Sequence, residues 1–146
     1  MKIRVLFISI VLLVITDINS QTFKLNIEIE NIEYKGTVYL AIYDNSTSFN
    51  LDNKNKSIDK KRWVKSIVEA VTIDGFTKSI ELKKGVYAIS LFVDSNDNKI
   101  IDKNFLGIPS EQYGFSNNAT GFLGSPSYKD ASFNLVDDLN IKISLK

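Results

Sequence analysis

The chain has no cysteine and no histidine, and only two prolines and one tryptophan in 146 residues. Each absence removes chemistry. Without histidine no Ser-His-Asp or Cys-His nucleophile can be assembled. Without cysteine or histidine a structural zinc site, or a common catalytic one, lacks its ligands. A mechanism resting on carboxylates alone survives, because glycoside hydrolysis needs two acids and little else. Lack of cysteine also means that the fold stands without disulfides. An excess of charge of one sign is missing too. With 18 Lys and Arg against 17 Asp and Glu, the net charge is +1. No strong field is available to steer nucleic acid, which is therefore not expected as a partner.

The first twenty residues read differently from the rest. Lys2 and Arg4 precede an apolar run from Val5 to Ile15, broken only by Ser9, and polar Thr16 to Ser20 follows. That order is the basic, apolar, small-residue plan of a secretory signal peptide. The apolar core is shorter than the roughly 20 residues a spanning helix requires, which weighs against the alternative of an uncleaved anchor. Cleavage after Ser20 would leave Gln21 first, with no cysteine there for a lipid anchor. The expected organisation is a signal peptide at 1–20 and a single domain at 21–146. It would be exported to the periplasm or the exterior, with no membrane contact after cleavage.

The domain itself is patterned as β-structure. From Thr22 to Glu30, Phe23, Leu25, Ile27 and Ile29 alternate with Lys24, Asn26, Glu28 and Glu30, the period of a half-buried strand. Further strands are expected at 37–44, 65–73, 76–82, 86–94, 131–136 and 140–145. Asp74-Gly75 is a two-residue hairpin signal, since glycine takes positive φ freely. Val86 to Asp94 is apolar on nearly both faces, as a central strand would be. Residues 45–62 are polar and read as a loop with a short helical turn near its end, pinned to the core by Trp63. Its Lys54, Lys56, Lys60, Lys61 and Arg62 form either an anion-binding patch or, as charge runs more often do, a solvated surface. Seven strands with tight turns and no convincing amphipathic helix indicate an all-β, seven-stranded antiparallel β-sandwich, a barrel being the alternative.

One loop carries candidate chemistry. Asp94-Ser-Asn96-Asp-Asn98-Lys-Ile100-Ile-Asp102 sets oxygen-bearing side chains at relative positions one, three, five and nine, with the carbonyl of Ile100 at seven. That is the ligand spacing of a calcium loop, in which alternate residues of a tight turn aim oxygens at one centre. Ile101 would anchor it to the core. Lys99 stands where glycine is usual, and Phe105 where a bidentate carboxylate is usual, so affinity should be weak, around 10⁻⁴ M or poorer. Glu111 and Asp130 are the nearest acids in sequence available to add charge. The bland alternative is that Asp and Asn cap their own backbone in a turn. Downstream, Asn104 to Asp130 is a long stretch without strand or helix pattern. Glu111, Tyr113, Phe115 and Tyr128 within it form a candidate platform for a glycan, a peptide or a cell-envelope protein. The alternative is that these aromatics tuck the segment over one end of the domain.

These same residues are recognisable. Leu82-Lys-Lys-Gly85-Val-Tyr87-Ala88, the Asp94–Asp102 loop, and Gly107-Ile-Pro109-Ser-Glu111-Gln-Tyr113-Gly114-Phe115-Ser116-Asn117-Asn118 resemble the bacterial family catalogued as domain of unknown function 2141 (DUF2141). The resemblance covers most of the mature chain and implies an exported protein without assigning an activity. The Asp94 loop is also similar to calcium loops in surface-adhesin repeat domains, which read D-x-N-x-N-G-x-x-D-x-x-E. Asp94, Asn96, Asn98 and Asp102 match that pattern, while Lys99 and Phe105 depart from it. This second resemblance implies an immunoglobulin-like or transthyretin-like sandwich. The expectation is a non-enzymatic binding or structural module with a weak calcium site. The alternatives are a carbohydrate- or peptide-binding domain, or a hydrolase using Glu111 and Asp130.

Overall fold

The computed structural model describes residues 21–54, 62–122 and 124–146. The expected signal peptide and the lysines at 56, 60 and 61 lie outside the described residues. Among those described, no helix is long and apolar enough to cross a membrane.

Among the described residues the protein is mostly β, with eight strands in two sheets. In chain order they are β1 (Thr22–Glu30), β2 (Gly36–Tyr43), β3 (Lys65–Val71), β4 (Phe76–Lys83), β5 (Gly85–Asp94), β6 (Tyr113–Phe115), β7 (Phe133–Leu135) and β8 (Leu139–Ser144). Among the described residues two short α-helices, α1 (Ser46–Lys54) and α2 (Tyr128–Ala131), and a 3-10 turn at Ser116–Asn118 interrupt them. A three-stranded sheet runs β4-β1-β8, and a five-stranded sheet runs β3-β2-β5-β6, with β7 pairing the first part of β5.

The alternating pattern decides the core. Leu25, Ile27 and Ile29 of β1, Ile80 and Leu82 of β4 and Ile143 of β8 pack against Val38, Leu40, Ile42, Ile89, Leu91 and Val93. The first set comes from one sheet and the second from the other, so the two sheets face each other across a single apolar layer. Each such side chain contributes about 1.5–3 kcal/mol relative to leaving it in water. At one edge the sheets meet, because Tyr113 and Lys146 exchange main-chain hydrogen bonds at 3.2 and 3.0 Å.

Four expectations are corrected. The described residues hold eight strands rather than seven, since β6 lies inside the segment read as structureless. The sheet is not wholly antiparallel, because β1 and β8 pair in parallel, Leu25 opposite Leu139 through Glu30 opposite Ser144. Asp74-Gly75 does reverse the chain, with Gly75 at φ 106°. However, β3 continues into one sheet and β4 into the other, so the turn joins sheets rather than closing a flat hairpin. Finally, the 45–62 segment opens with a helix where loop was expected, while the helical turn expected near its end falls largely outside the described residues. Asn45 accepts the Ser48 N–H at 2.8 Å as its N-cap, and Phe49 is fully buried. The cap satisfies an end donor that the helix cannot.

The outer face of the five-stranded sheet carries a second apolar cluster. Ala41, Tyr43, Phe49, Ala88, Phe115 and Ala131 form it, with Trp63, Tyr113 and Tyr128 packed against them. It is sealed by Asp52, which is 9% exposed. Its carboxylate accepts from Trp63 Nε1 at 2.8 Å, Arg62 at 2.7 Å and, more weakly, the Tyr43 hydroxyl at 3.3 Å. Trp63 thus pins the loop, as its sequence position implies. Burial pushes the Tyr43 hydroxyl up to about 12.

Candidate functional site

The site begins where the central strand ends. Asp94 closes β5 at only 2% exposure, so its charge has to be met by the loop that follows. It is: Oδ1 accepts the N–H groups of Asn96 and Asn98 at 3.2 and 3.3 Å, and Oδ2 that of Lys99 at 2.8 Å. These bonds wind the backbone around one carboxylate. Winding it that tightly puts Asp97 and Lys99 at positive φ, 61° and 67°.

The two asparagines then turn inward. Asn96 Nδ2 and Asn98 Nδ2 both donate to Asp102 Oδ2, at 2.7 and 2.9 Å. Their side-chain oxygens accept from the N–H groups of Asn98 and Ile100 at 3.1 and 3.0 Å. Asp94, Asn96, Asn98 and Asp102 are therefore gathered into one polar cluster. The Asx-capping alternative describes these bonds as well, since Asp94, Asn96, Asn98 and Asp102 each accept from a main-chain or amide donor. Ile100 belongs to the loop through its main chain, and its side chain is 52% exposed. Ile101, expected to anchor the loop, is half-buried and joins neither apolar cluster.

The anchoring is done instead by Glu111. It is 5% exposed, with Oε1 accepting the Ser95 N–H at 3.0 Å and Oε2 the Asp102 N–H at 3.1 Å. One carboxylate thereby ties the start and the end of the loop together. Glu111 is a brace and not a third ligand: among the described residues no three acidic side chains gather into a metal-holding group. Gly36 packs against the root of the loop, where a Cβ would lie 2.3 Å from the Asp94 carbonyl oxygen.

Asp130 is elsewhere. It sits in α2, accepting the Ser127 hydroxyl at 2.6 Å, and α2 is tied to the start of β5 by Tyr128, whose hydroxyl donates to the Val86 carbonyl at 3.0 Å. Glu111 lies at the far end of that strand, which at ten residues spans about 30 Å. The two acids do not form the close pair that carboxylate hydrolysis uses.

Nor do Glu111, Tyr113, Phe115 and Tyr128 make one surface. Phe115 is 8% exposed and lies in the cluster beneath α1, in edge contact with Phe49 at 6.1 Å. Tyr128 meets Phe49 edge-on at 5.8 Å, and burial raises its hydroxyl pKa. The expected platform is largely an outer core, consistent with aromatics that tuck the segment down. An open groove of about 340 Å³ runs beside Tyr113, lined also by Tyr34, Pro109, Gln112 and Lys146.

The segment that carries the family resemblance proves to be a hub of hydrogen bonds. Gln112, unmarked in the sequence reading, is 5% exposed. It holds the β1–β2 connection by accepting the Glu33 N–H and donating to the Asn31 carbonyl, both at 2.8 Å. Ser116, fully buried, accepts the Ile89 N–H at 2.8 Å and donates to the Ala131 carbonyl. Asn117 reaches the carbonyls of Asp130 and Ser132 at 3.1 and 2.7 Å, and Asn118 accepts the Ser144 N–H at 2.8 Å. A polar residue amid aromatics was the only available signal for these roles.

Fold and site together define a mostly β, two-sheet protein whose central strand runs into a braced Asp/Asn loop. The chain matches, over residues 27–144, the family described as "Uncharacterized protein conserved in bacteria (DUF2141)", and it belongs to that family. No curated protein and no solved structure matches it.

Proposed function

We propose that this is an exported, non-enzymatic binding or structural module on an immunoglobulin-like or transthyretin-like β-sandwich, in which calcium stabilises the loop Asp94–Asp102. The observation that carries the metal reading is the convergence of the Asn96 and Asn98 amides on Asp102 Oδ2, with the Asp94 carboxylate buried below. Half a turn of each amide exchanges its nitrogen for its oxygen at nearly the same point, at the cost of the bonds these oxygens accept from the Asn98 and Ile100 N–H groups. The cluster then offers a hard cation two carboxylates, two amide oxygens and the Ile100 carbonyl, in the spacing such ions take. Two formal charges make the binding weak, in the range of extracellular modules. Export rests on the basic and apolar pattern of residues 1–20.

Occupancy would add stability as RT ln(1 + [Ca²⁺]/Kd), about 1.4 kcal/mol when the ion stands at ten times its Kd. A thermal melt in millimolar calcium should therefore exceed the melt in excess chelator by several degrees. Asp102→Asn should lose that difference. An unchanged melt removes the metal from the account.

A further inference from the structure

Immediately beyond the loop, residues 103–109 form a small hairpin that projects apolar side chains into water. Phe105 is 95% exposed, Leu106 68% and Ile108 53%, beside Ile100 at 52%. Exposed apolar residues scattered singly need no explanation, but a cluster at one tip does. The tip is also held rigid. Lys103 and Pro109 bridge across it, Asn104 N–H donates to the Ile108 carbonyl and Gly107 N–H to the Asn104 carbonyl, both at 2.9 Å. The Asn104 side chain accepts from the N–H groups of Leu106 and Ile108 at 2.9 and 3.1 Å. Gly107, at φ 78°, closes the turn in open space. Polar chemistry is thus invested in keeping a phenylalanine and a leucine out of the core.

The charge around the tip has a direction. Asp94 and Glu111 are buried, and Asp102 is half-buried with its carboxylate turned onto the two asparagines. Lys99 and Lys103 are exposed, and neither enters an ion pair among the described residues. Asp97, on the same loop as Lys99, is the one exposed carboxylate of residues 94–111, so the two lysines leave a net positive charge there. Glu33, exposed, shares the neighbouring groove with Lys146. The hairpin therefore presents an aromatic and aliphatic apex with a basic collar.

We propose that the 103–109 hairpin is a membrane-docking finger that inserts Phe105 and Leu106 into the interfacial region of an anionic lipid surface, with Lys99 and Lys103 on the headgroups. An apolar apex with basic flanks is the composition that binds such interfaces. A convex tip also suits a deformable medium better than a rigid partner, which would need a matching pocket. The proposal revises the expectation of no membrane contact after signal cleavage, since these exposures are visible only in the fold. It stands apart from the metal reading, because the hydrogen bonds that hold the finger are the protein's own.

Co-sedimentation of the mature domain with phosphatidylglycerol-containing vesicles, in chelator at low salt, tests it. The protein should pellet with these vesicles and bind purely zwitterionic ones about fivefold or more weakly, given the net positive charge beside the apex. Phe105→Ser/Leu106→Ser should reduce binding at least about tenfold, with an unchanged melt because neither side chain is in the core. No binding to the anionic vesicles, or equal binding by the double variant, overturns the proposal and leaves the apex to a protein partner.

Discussion

Lys99 occupies a backbone conformation that a side chain resists. Its φ is 67°, in the left-handed region where a Cβ crowds the following carbonyl at roughly 1–2 kcal/mol. The Asp94 carboxylate holds it there by accepting its N–H at 2.8 Å. The sequence placed the strain correctly, because a lysine at relative position six of this spacing has to turn as glycine would. Glycine removes the steric cost but adds conformational entropy to the unfolded state. Lys99→Gly should therefore raise stability by about 1 kcal/mol or slightly less, seen as a higher urea midpoint at constant slope. An equal or lower midpoint would show that the lysine side chain contributes contacts that outweigh the strain. What the sequence could not show at this scale is the role of Glu111. A carboxylate bracing two amides from nine residues and more away leaves no local pattern, so it read as one more acid.

At the scale of elements, the loss of legibility has a clear cause in β6. Tyr113-Gly-Phe is too short to alternate, and glycine weakens a strand. Here the glycine is a necessity of packing: a Cβ on Gly114 would sit 2.7 Å from Ile143 Cγ2 and 3.2 Å from Leu145 Cδ2. Gly114→Ala should cost about 1–3 kcal/mol through overpacking, measured by denaturant unfolding. If it costs nothing, the contact between β6 and the last strand is looser than described. The long strands were legible because their alternation is forced by one buried face. β1 shows it plainly, with Leu25, Ile27 and Ile29 at 0–1% exposure. α1 was harder, since nothing in Ser-Thr-Ser-Phe-Asn-Leu-Asp is periodic over enough turns. Its signal was Asn45 as a cap, with Phe49 and Asp52 one turn apart on the buried side.

For the whole molecule, the turns were easier to find than the partners they connect. Asp74-Gly75 marks a reversal, yet Val71 pairs with Gly36 in one sheet and Phe76 with Ile29 in the other. Local residues fix the turn, while the choice of sheet depends on which apolar faces meet across the core. The parallel β1–β8 pair is a long-range outcome of the same kind. The molecule is best understood as two sheets whose central strand delivers a polar loop to one end, with the family's most recognisable segment fastening that loop, β6 and the last strand together.

The account turns on whether the cluster at Asp94, Asn96, Asn98 and Asp102 takes up a cation. A calcium titration followed by amide ¹H–¹⁵N correlation spectra of the mature domain measures this residue by residue. Resonances of Ser95 to Asp102 and the side-chain amides of Asn96 and Asn98 should shift together and saturate in the submillimolar to millimolar range, while the two apolar clusters stay still. Spectra that do not move at those positions, or that drift weakly over the whole surface, would contradict the reading and leave the loop as a self-capped turn.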